Sequence, residues 1–168
     1  MNIVEPIREV EKIEEIHNYL LKKNKRDALL FSFGIYSGLR ISDILNFRVM
    51  DCMKKTYNIR EKKTRKQKIL EWNPYLYREI SEFIADKKPN DFLFKSKQGY
   101  NKPITRTRAY QIITQACNAC KVYNVGTHSL RKTFGYHMYN RTKDVVMLMD
   151  IFNHSTQDIT LRYIRNQQ

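Results

Sequence analysis

The sequence predicts a mainly α-helical α+β domain that carries one small antiparallel β-hairpin. Apolar residues recur at helical spacing through most of the chain, as at Val10, Ile13 and Ile16. Residues 57–60 and 68–72 instead alternate in the manner of strands, and a lysine-rich turn separates them. A chain of 168 residues, 42% of them hydrophobic, is long enough to form a single domain with its own core.

The N-terminal part of the chain is predicted to contain three helices. The first covers residues 7–23. The second covers residues 25–37, which are apolar on nearly all sides, so this helix should lie at the centre of the fold. Gly38 ends it, and a short third helix follows with Ile41 and Ile44 on its buried side.

Two further helices are predicted after the hairpin. Pro74 precedes the first of them, at residues 75–87, and Thr105 is predicted to cap the second, at residues 106–120. A polar, basic loop at residues 95–103 connects the two regions.

The C-terminal part predicts three closely spaced helices. Thr127 is predicted to cap a helix at residues 128–140, and another helix covers residues 143–152. Asn153 is predicted to end that helix in the left-handed conformation, which asparagine tolerates better than most residues do. Ser155 is predicted to cap the last helix.

The charge of the chain indicates a polyanionic partner. The formal net charge is +14, and it is unevenly distributed. Residues 54–68 contain eight basic side chains and one acidic side chain, and residues 95–108 contain five basic side chains and no acid. Because a merely solubilising charge would be more dispersed, nucleic acid is the first candidate partner.

Several classes of protein find no support in the sequence. No run of about twenty apolar residues would span a membrane, and no signal peptide opens the chain. No nucleotide-binding glycine loop is present. Cys117 and Cys120 have the spacing of half a zinc site but lack a second pair, so we interpret them as half-buried thiols in a reducing cytoplasm, with no metal.

Four residues near the C-terminus carry a candidate chemistry. His128 and Arg131 stand three apart in the first turn of a predicted helix, where the free backbone N–H groups already favour an anion. His154 follows the end of the next helix, and Tyr163 comes nine residues later. A single histidine–arginine pair of this kind is usually structural, so the ordered set is what indicates a phosphate site.

This ordered set resembles the C-terminal signature of the tyrosine recombinases, the phage-integrase family. In that signature His-x-Leu-Arg opens a helix, Leu-Gly-His follows, and a tyrosine comes nine residues after the second histidine. Residues 128–131, residues 152–154 and Tyr163 match these three parts. The family's Thr-Gly-Leu-Arg-x-Ser-Glu signature is similar to residues 37–43, Ser-Gly-Leu-Arg-Ile-Ser-Asp.

The resemblance implies a role for each matched residue. The implied catalytic set is Tyr163, Arg40, Arg131, His128, His154 and Lys63, with Asp43 in support. The tyrosine would attack the DNA backbone and form a 3′-phosphotyrosyl intermediate, while the arginines and His154 hold the phosphoryl oxygens. His128 would assist proton transfer, Lys63 would protonate the departing 5′-oxygen, and Asp43, where the family usually has glutamate, would orient the arginines.

The resemblance and the basic runs together predict the DNA-contacting residues. These are Lys62, Thr64, Arg65, Lys66, Arg106, Arg108 and Lys132. Lys62 and Lys66 lie close to Lys63 in the turn, so the sequence leaves open which of the three lysines would be catalytic.

The resemblance covers nearly the whole chain and implies the catalytic domain of a recombinase, residues 1–168, without the family's N-terminal core-binding domain. It implies double-stranded DNA with inverted repeats as the partner, a homotetramer on DNA and a monomer alone, no cofactor, and a place at the nucleoid of a bacterial cytoplasm, on a phage or other mobile element. The alternatives are a non-catalytic DNA-binding regulator derived from a recombinase, a type IB topoisomerase and a basic RNA-binding protein.

Overall fold

The computed structural model describes residues 3–60, 65 and 67–165. In chain order the elements are α1 (Val10–Lys23), α2 (Lys25–Ser37), α3 (Ile41–Ile44), a 3-10 helix (Val49–Cys52), β1 (Thr56–Arg60), β2 (Gln67–Glu71), α4 (Pro74–Ile84), α5 (Arg106–Ala119), α6 (Thr127–Thr142), α7 (Val145–Phe152) and α8 (Gln157–Arg165). The predicted α+β architecture, mainly helical with one antiparallel hairpin, is confirmed. Within the described ranges, every helix is too short or too polar to cross a membrane.

Helix α2 lies at the centre of the domain, as its sequence predicts. Helices α1, α4 and α6 all pack against it. Every residue from Asp27 to Ile35 is buried, so all faces of the helix are covered there. Asn24 caps its first turn by accepting a hydrogen bond from the Arg26 backbone N–H at 2.9 Å.

Two glycines let α6 approach α2 closely. A Cβ on Gly34 would lie 2.6 Å from Cδ1 of Leu130, and a Cβ on Gly38 would clash with the ring of Phe134. Gly38 also has a φ of 68°, the left-handed conformation that ends α2. The last turn of α2 therefore lies against the first half of α6, where Arg131 is located.

Aromatic packing joins the β-hairpin to the core. The Tyr57 and Trp72 rings are stacked with centroids 3.6 Å apart, and the Phe33 ring lies edge-on to Trp72 with centroids 5.1 Å apart. Strands β1 and β2 pair antiparallel with Tyr57 opposite Leu70, and each begins one residue earlier than predicted. Residues 61–64 and 66, in the connection between the strands, lie outside the described residues.

Two helices lack three residues that were predicted at one end. The helix predicted from residue 7 begins at Val10, because the Ile7 backbone N–H donates to Oγ1 of Thr133 at 2.9 Å and the chain there is extended along α6. The helix predicted to residue 87 ends at Ile84, where a turn with a hydrogen bond from the Lys87 N–H to the Ile84 carbonyl replaces the helical pattern.

Two predicted helix caps are wrong by one residue. Thr127 is the first residue of α6, and the extended residue before it is Gly126. The N-cap residue is therefore Gly126, whose N–H donates to the hydroxyl of Ser129 at 2.9 Å. At α8, the capping hydroxyl belongs to Thr156 and not to Ser155, and it accepts a backbone N–H bond at 3.2 Å.

Helices α7 and α8 form a small second core on α6. Leu148, Phe152 and Ile164 are its buried side chains. Asn153 has φ 56° and ψ 40°, which confirms the predicted left-handed turn between the two helices. Gly135 on α6 permits the close approach, since a Cβ there would lie 2.6 Å from Cγ2 of Ile164. This packing determines where α8 presents its side chains.

The three cysteines are free and buried, and Cys117 and Cys120 are more deeply buried than the sequence predicted. Burial raises the pKa of Cys117 to about 12, so its thiol stays protonated and inert at neutral pH. Among the described residues, no three histidine, cysteine, aspartate or glutamate side chains are grouped so as to hold a metal ion.

Candidate active site

Arg131 is the buried centre of the candidate site. It lies in the first turns of α6 and is 4% exposed. One guanidinium nitrogen donates to the Gly38 carbonyl at 2.6 Å, and the guanidinium carbon lies 4.7 Å from the centroid of the Phe152 ring. These contacts fix the orientation of a charged group between the end of α2 and the end of α7.

Arg40 follows Gly38 by two residues and is the N-cap residue of α3, in extended conformation. Its side chain is partly buried, and its charge acts on both His154 and Tyr163. Asp43 lies one turn further on and is 5% exposed. The turn after α2 therefore brings a second arginine to the site, and a buried carboxylate follows it in α3.

Tyr163 lies on α8 with its hydroxyl at the two arginines. The phenol is partly buried, and its ring centroid lies 5.2 Å from that of Phe152, the ring that also lies against the Arg131 guanidinium. Burial raises the pKa of Tyr163 above its ordinary value, while the charges of Arg131 and Arg40 act in the opposite direction. The hydroxyl is protonated at neutral pH and is surrounded by groups that would stabilise its deprotonated form.

His154 follows the left-handed turn at Asn153 and lies beside the tyrosine. The His154 and Tyr163 ring centroids are 5.1 Å apart. Its Nδ1 lies 2.9 Å from the hydroxyl oxygen of Thr160, which is fully buried on α8. Burial lowers the pKa of His154 below its ordinary value, and the charges of Arg131 and Arg40 lower it further. The ring is therefore mainly neutral at pH 7.

The structure places the other predicted site residues less centrally. His128 is exposed in the first turn of α6, three residues before Arg131. Arg106 and Arg108 are exposed in the first turn of α5. Arg65, with a φ of 56°, is exposed beside the hairpin connection. Four predicted residues lie outside the described residues: Lys62, Lys63, Thr64 and Lys66.

Lys132 occupies a different place from the one expected of a DNA contact. It is 7% exposed, and its ammonium donates to the Val4 carbonyl at 3.0 Å. The same nitrogen lies 5.1 Å from the centroid of the Tyr163 ring. Burial lowers the pKa of Lys132, and the charge of Glu5 acts against this. Because the ammonium points into the domain, we leave Lys132 out of the set of proposed phosphate contacts.

Sequence reasoning missed the role of Phe152. Its ring lies under the Arg131 guanidinium, and its centroid is 5.5 Å from that of His154 and 5.2 Å from that of Tyr163. The sequence feature that could have predicted this role is the position of Phe152 directly before Asn153 and His154. An aromatic side chain at the end of α7 can pack against the residues that follow the turn. Phe152 therefore serves as the apolar floor on which three polar groups meet.

The fold is that of the tyrosine-recombinase catalytic domains, and within it two arginines and a histidine lie near a tyrosine. The chain belongs to the phage integrase family, whose model matches residues 7–168.

Known proteins similar to the chain agree with this assignment. The probable integrase/recombinase YoeC of Bacillus subtilis (strain 168) is 52% identical over 168 residues, which covers 98% of this chain and 91% of YoeC. The chain spans between about half and three-fifths of the tyrosine recombinases from Pseudothermotoga lettingae and Pyrococcus horikoshii that it also matches.

Two solved structures share the fold. The XerA recombinase has a TM-score of 0.78 at 17% identity, over 97% of this chain and 61% of XerA. The XerH site-specific recombinase, bound to its difH substrate before cleavage, has a TM-score of 0.74 at 18% identity, over 96% of this chain and 51% of XerH.

Proposed function

We propose that residues 1–168 act as the catalytic domain of a site-specific DNA recombinase, which cleaves and rejoins DNA through a 3′-phosphotyrosyl intermediate. The observation that carries the proposal is the cluster around Tyr163. The charges of the buried Arg131 and of Arg40 act on its phenol, and the His154 ring centroid lies 5.1 Å from the centroid of its ring. A nucleophile held among fixed cations suits attack on a phosphodiester, whose oxygens gain charge in the transition state.

In the cleavage step, the Tyr163 oxygen attacks the phosphorus and the bond from phosphorus to the 5′-oxygen breaks. Arg131 and Arg40 bind the non-bridging oxygens, for which their planar, multi-donor heads suit them better than lysine. His128 accepts the proton that the phenol loses, and Lys63 gives a proton to the departing 5′-oxygen. The protein therefore gains one proton at His128 and loses one at Lys63. Lys62 and Lys66 remain the alternative acids.

His154 contributes as a neutral hydrogen-bond donor. The Thr160 hydroxyl lies 2.9 Å from Nδ1. When that hydroxyl donates to Nδ1, the single proton of the neutral ring is on Nε2, which can then donate to a phosphoryl oxygen. The lowered pKa of His154 favours this neutral form.

Rejoining reverses the same steps with a different strand. A free 5′-hydroxyl attacks the phosphotyrosine, and the tyrosine leaves with a proton. Because the intermediate is itself a phosphodiester, the energy of the broken bond is retained. The reaction as proposed therefore uses no nucleotide and no metal ion.

The proposed substrate is double-stranded DNA that carries inverted repeats, with four copies of the chain assembled on it and a monomer in its absence. The exposed Arg65, Arg106 and Arg108, together with the hairpin residues Lys62, Thr64 and Lys66, would contact the backbone. XerH, which shares the fold, was solved bound to its difH substrate. The proposed setting is a phage or other mobile element in the bacterial cytoplasm, at the nucleoid.

The test uses nicked suicide duplexes, which lose a short fragment on cleavage and so trap the intermediate. Duplexes carrying the junctions of the chain's own genetic element are mixed with the wild-type protein and with Tyr163→Phe. We expect a denaturant-resistant protein–DNA adduct with the wild type only. DNA binding without an adduct would favour a recombinase-derived regulator, and relaxation of supercoiled DNA without such a junction would favour a topoisomerase.

A further inference from the structure

The chain that precedes α1 is extended along α6 and is pinned to it by its own backbone. The Ile7 N–H donates to Oγ1 of Thr133 at 2.9 Å, and Nε2 of His137 lies 2.9 Å from the Ile7 carbonyl. Ile7 is 3% exposed. We refer to residues 3–9 as the N-terminal segment. Both backbone polar groups of Ile7, the N–H and the carbonyl, contact side chains of α6, so the segment lies in a defined position on this helix.

One buried cation joins this segment to the proposed nucleophile. The Lys132 ammonium donates to the Val4 carbonyl at 3.0 Å and lies 5.1 Å from the centroid of the Tyr163 ring. A cation at this distance from an aromatic ring is attracted to it, more strongly where water is excluded. A shift of the Val4 carbonyl would therefore move the Lys132 ammonium and change its contact with the Tyr163 ring.

A second cation joins the segment to the end of the nucleophile helix. Arg8 donates to the Arg165 carbonyl at 2.8 Å, two residues after Tyr163. The last carbonyls of a helix lack partners within it, so a guanidinium there satisfies one of them and interacts favourably with the helix dipole. Glu5 orients Arg8 through an ion pair of 2.8 Å.

These contacts add to the small core that holds helix α8. It has nine residues, too few to be stable alone, and it packs on α6 and α7 through a core whose buried side chains are Leu148, Phe152 and Ile164. A catalytic group displaced by about 1 Å can lose on the order of a hundredfold in rate. Contacts at both Tyr163 and Arg165 would keep the hydroxyl at Arg131.

We propose that the N-terminal segment positions the nucleophile, with Lys132 and Arg8 as the two positioning residues that transmit its hold to Tyr163 and to the end of α8. The proposal rests on the proposed function, because it specifies what holds that site's tyrosine. It gives the segment before α1 control over cleavage without any contact to DNA.

The first arm of the test measures cleavage. Lys132→Met keeps the aliphatic stem and removes the ammonium. We expect the rate of adduct formation on nicked DNA at saturating protein to fall about tenfold or more. DNA affinity should stay within about twofold, because the ammonium faces inward. Arg8→Gln should slow the same step by a smaller factor. Lys22→Met, on the exposed face of α1, is the matched control and should leave the rate unchanged.

The second arm needs no DNA and no activity. The protein is labelled with ζ-13C tyrosine, and the Tyr163 signal is assigned among the eleven tyrosines by its loss in Tyr163→Phe. We expect Lys132→Met and Arg8→Gln to move this signal and Lys22→Met to leave it in place. If the wild type forms no adduct, the proposed function fails, and this comparison still decides whether the segment holds Tyr163.

Two outcomes would overturn the proposal. One is an unchanged Tyr163 signal in both variants, and the other is a moved signal with an unchanged rate of adduct formation. Arg8→Gln alters a side chain that is 39% exposed, so it keeps the proposal falsifiable if Lys132→Met does not fold. In the double variant, the loss of rate should be smaller than the product of the single losses, since both residues act through one segment.

Discussion

The guanidinium of Arg131 donates to the Gly38 carbonyl at 2.6 Å, and its charge acts on the phenol of Tyr163. One buried arginine therefore connects the end of α2, the start of α6 and the side chain that we propose as the nucleophile. Cleavage and local stability should both depend on it, and the two effects can be separated by choosing which partner to change.

Tyr163→Phe should abolish the covalent adduct and leave DNA binding nearly unchanged. Only the hydroxyl is lost, and the ring can keep its packing against Phe152, 5.2 Å away between centroids. The free energy of unfolding should change by no more than about 1 kcal/mol, the usual net contribution of one hydrogen bond. Denaturing gels, fluorescence anisotropy and urea unfolding measure the three quantities. A large loss of stability would mean that the hydroxyl has a structural role.

Arg131→Met and Arg40→Met should both slow adduct formation by about a hundredfold or more, because each removes a charge that acts on the transition state. They should differ in stability. Arg131→Met leaves the buried Gly38 carbonyl without this donor and should cost about 1–3 kcal/mol in urea unfolding. Arg40 is only partly buried, so Arg40→Met should cost less. Equal losses of stability would contradict the buried role of Arg131.

The stability of the protein should fall as the pH is lowered from about 6.5. Burial and the two arginines depress the pKa of His154 in the folded state, so between its unfolded and folded pKa values the unfolded chain binds more protons. The contribution of His154 is therefore present above about pH 6.5 and is lost as the pH falls through the folded pKa. Urea unfolding between pH 5 and 8 should show a shallower dependence in His154→Gln. An identical dependence in that variant would contradict a depressed pKa.

Gly135→Ala should impair cleavage from a distance. The added Cβ would lie 2.6 Å from Cγ2 of Ile164, so α8 must move or α6 must bend. Overpacking of this kind costs about 1–3 kcal/mol, and the shift should slow adduct formation while DNA binding is retained. Gly99→Ala, in the loop before α5, is the control for cleavage. A normal rate in Gly135→Ala would mean that α8 tolerates displacement.

The sequence predicted the fold better than the details of the site. Apolar spacing was enough for the central helix α2, and the left-handed turn at Asn153 followed from the tolerance of asparagine for that conformation. Motif order indicated Arg40, Arg131, His154 and Tyr163, which the structure brings together because the turn after α2 meets the start of α6.

Three features could not be predicted from local sequence patterns, because they depend on tertiary packing: the burial of Lys132, two helix caps and the extended chain at Ile7. Lys132 was predicted to contact DNA, and its burial against Val4 depends on a segment more than a hundred residues away. The predicted helix caps at Thr127 and Ser155 were wrong by one residue. The neighbouring residues Gly126 and Thr156 are equally suitable N-cap residues, and the path of the chain determines which one caps the helix. The extended chain at Ile7 likewise follows from its bonds to α6 and not from its own spacing.

The most direct test of the central claim is to identify the residue that carries the DNA. The trapped adduct is digested with a nuclease and with a protease that cleaves after acidic residues, and the peptides are analysed by mass spectrometry. We predict the mass of a residual nucleotide on the peptide that follows Asp158 and contains Tyr163, the one tyrosine in that peptide. A nucleotide on any of the other ten tyrosines, or on a serine, would contradict the account.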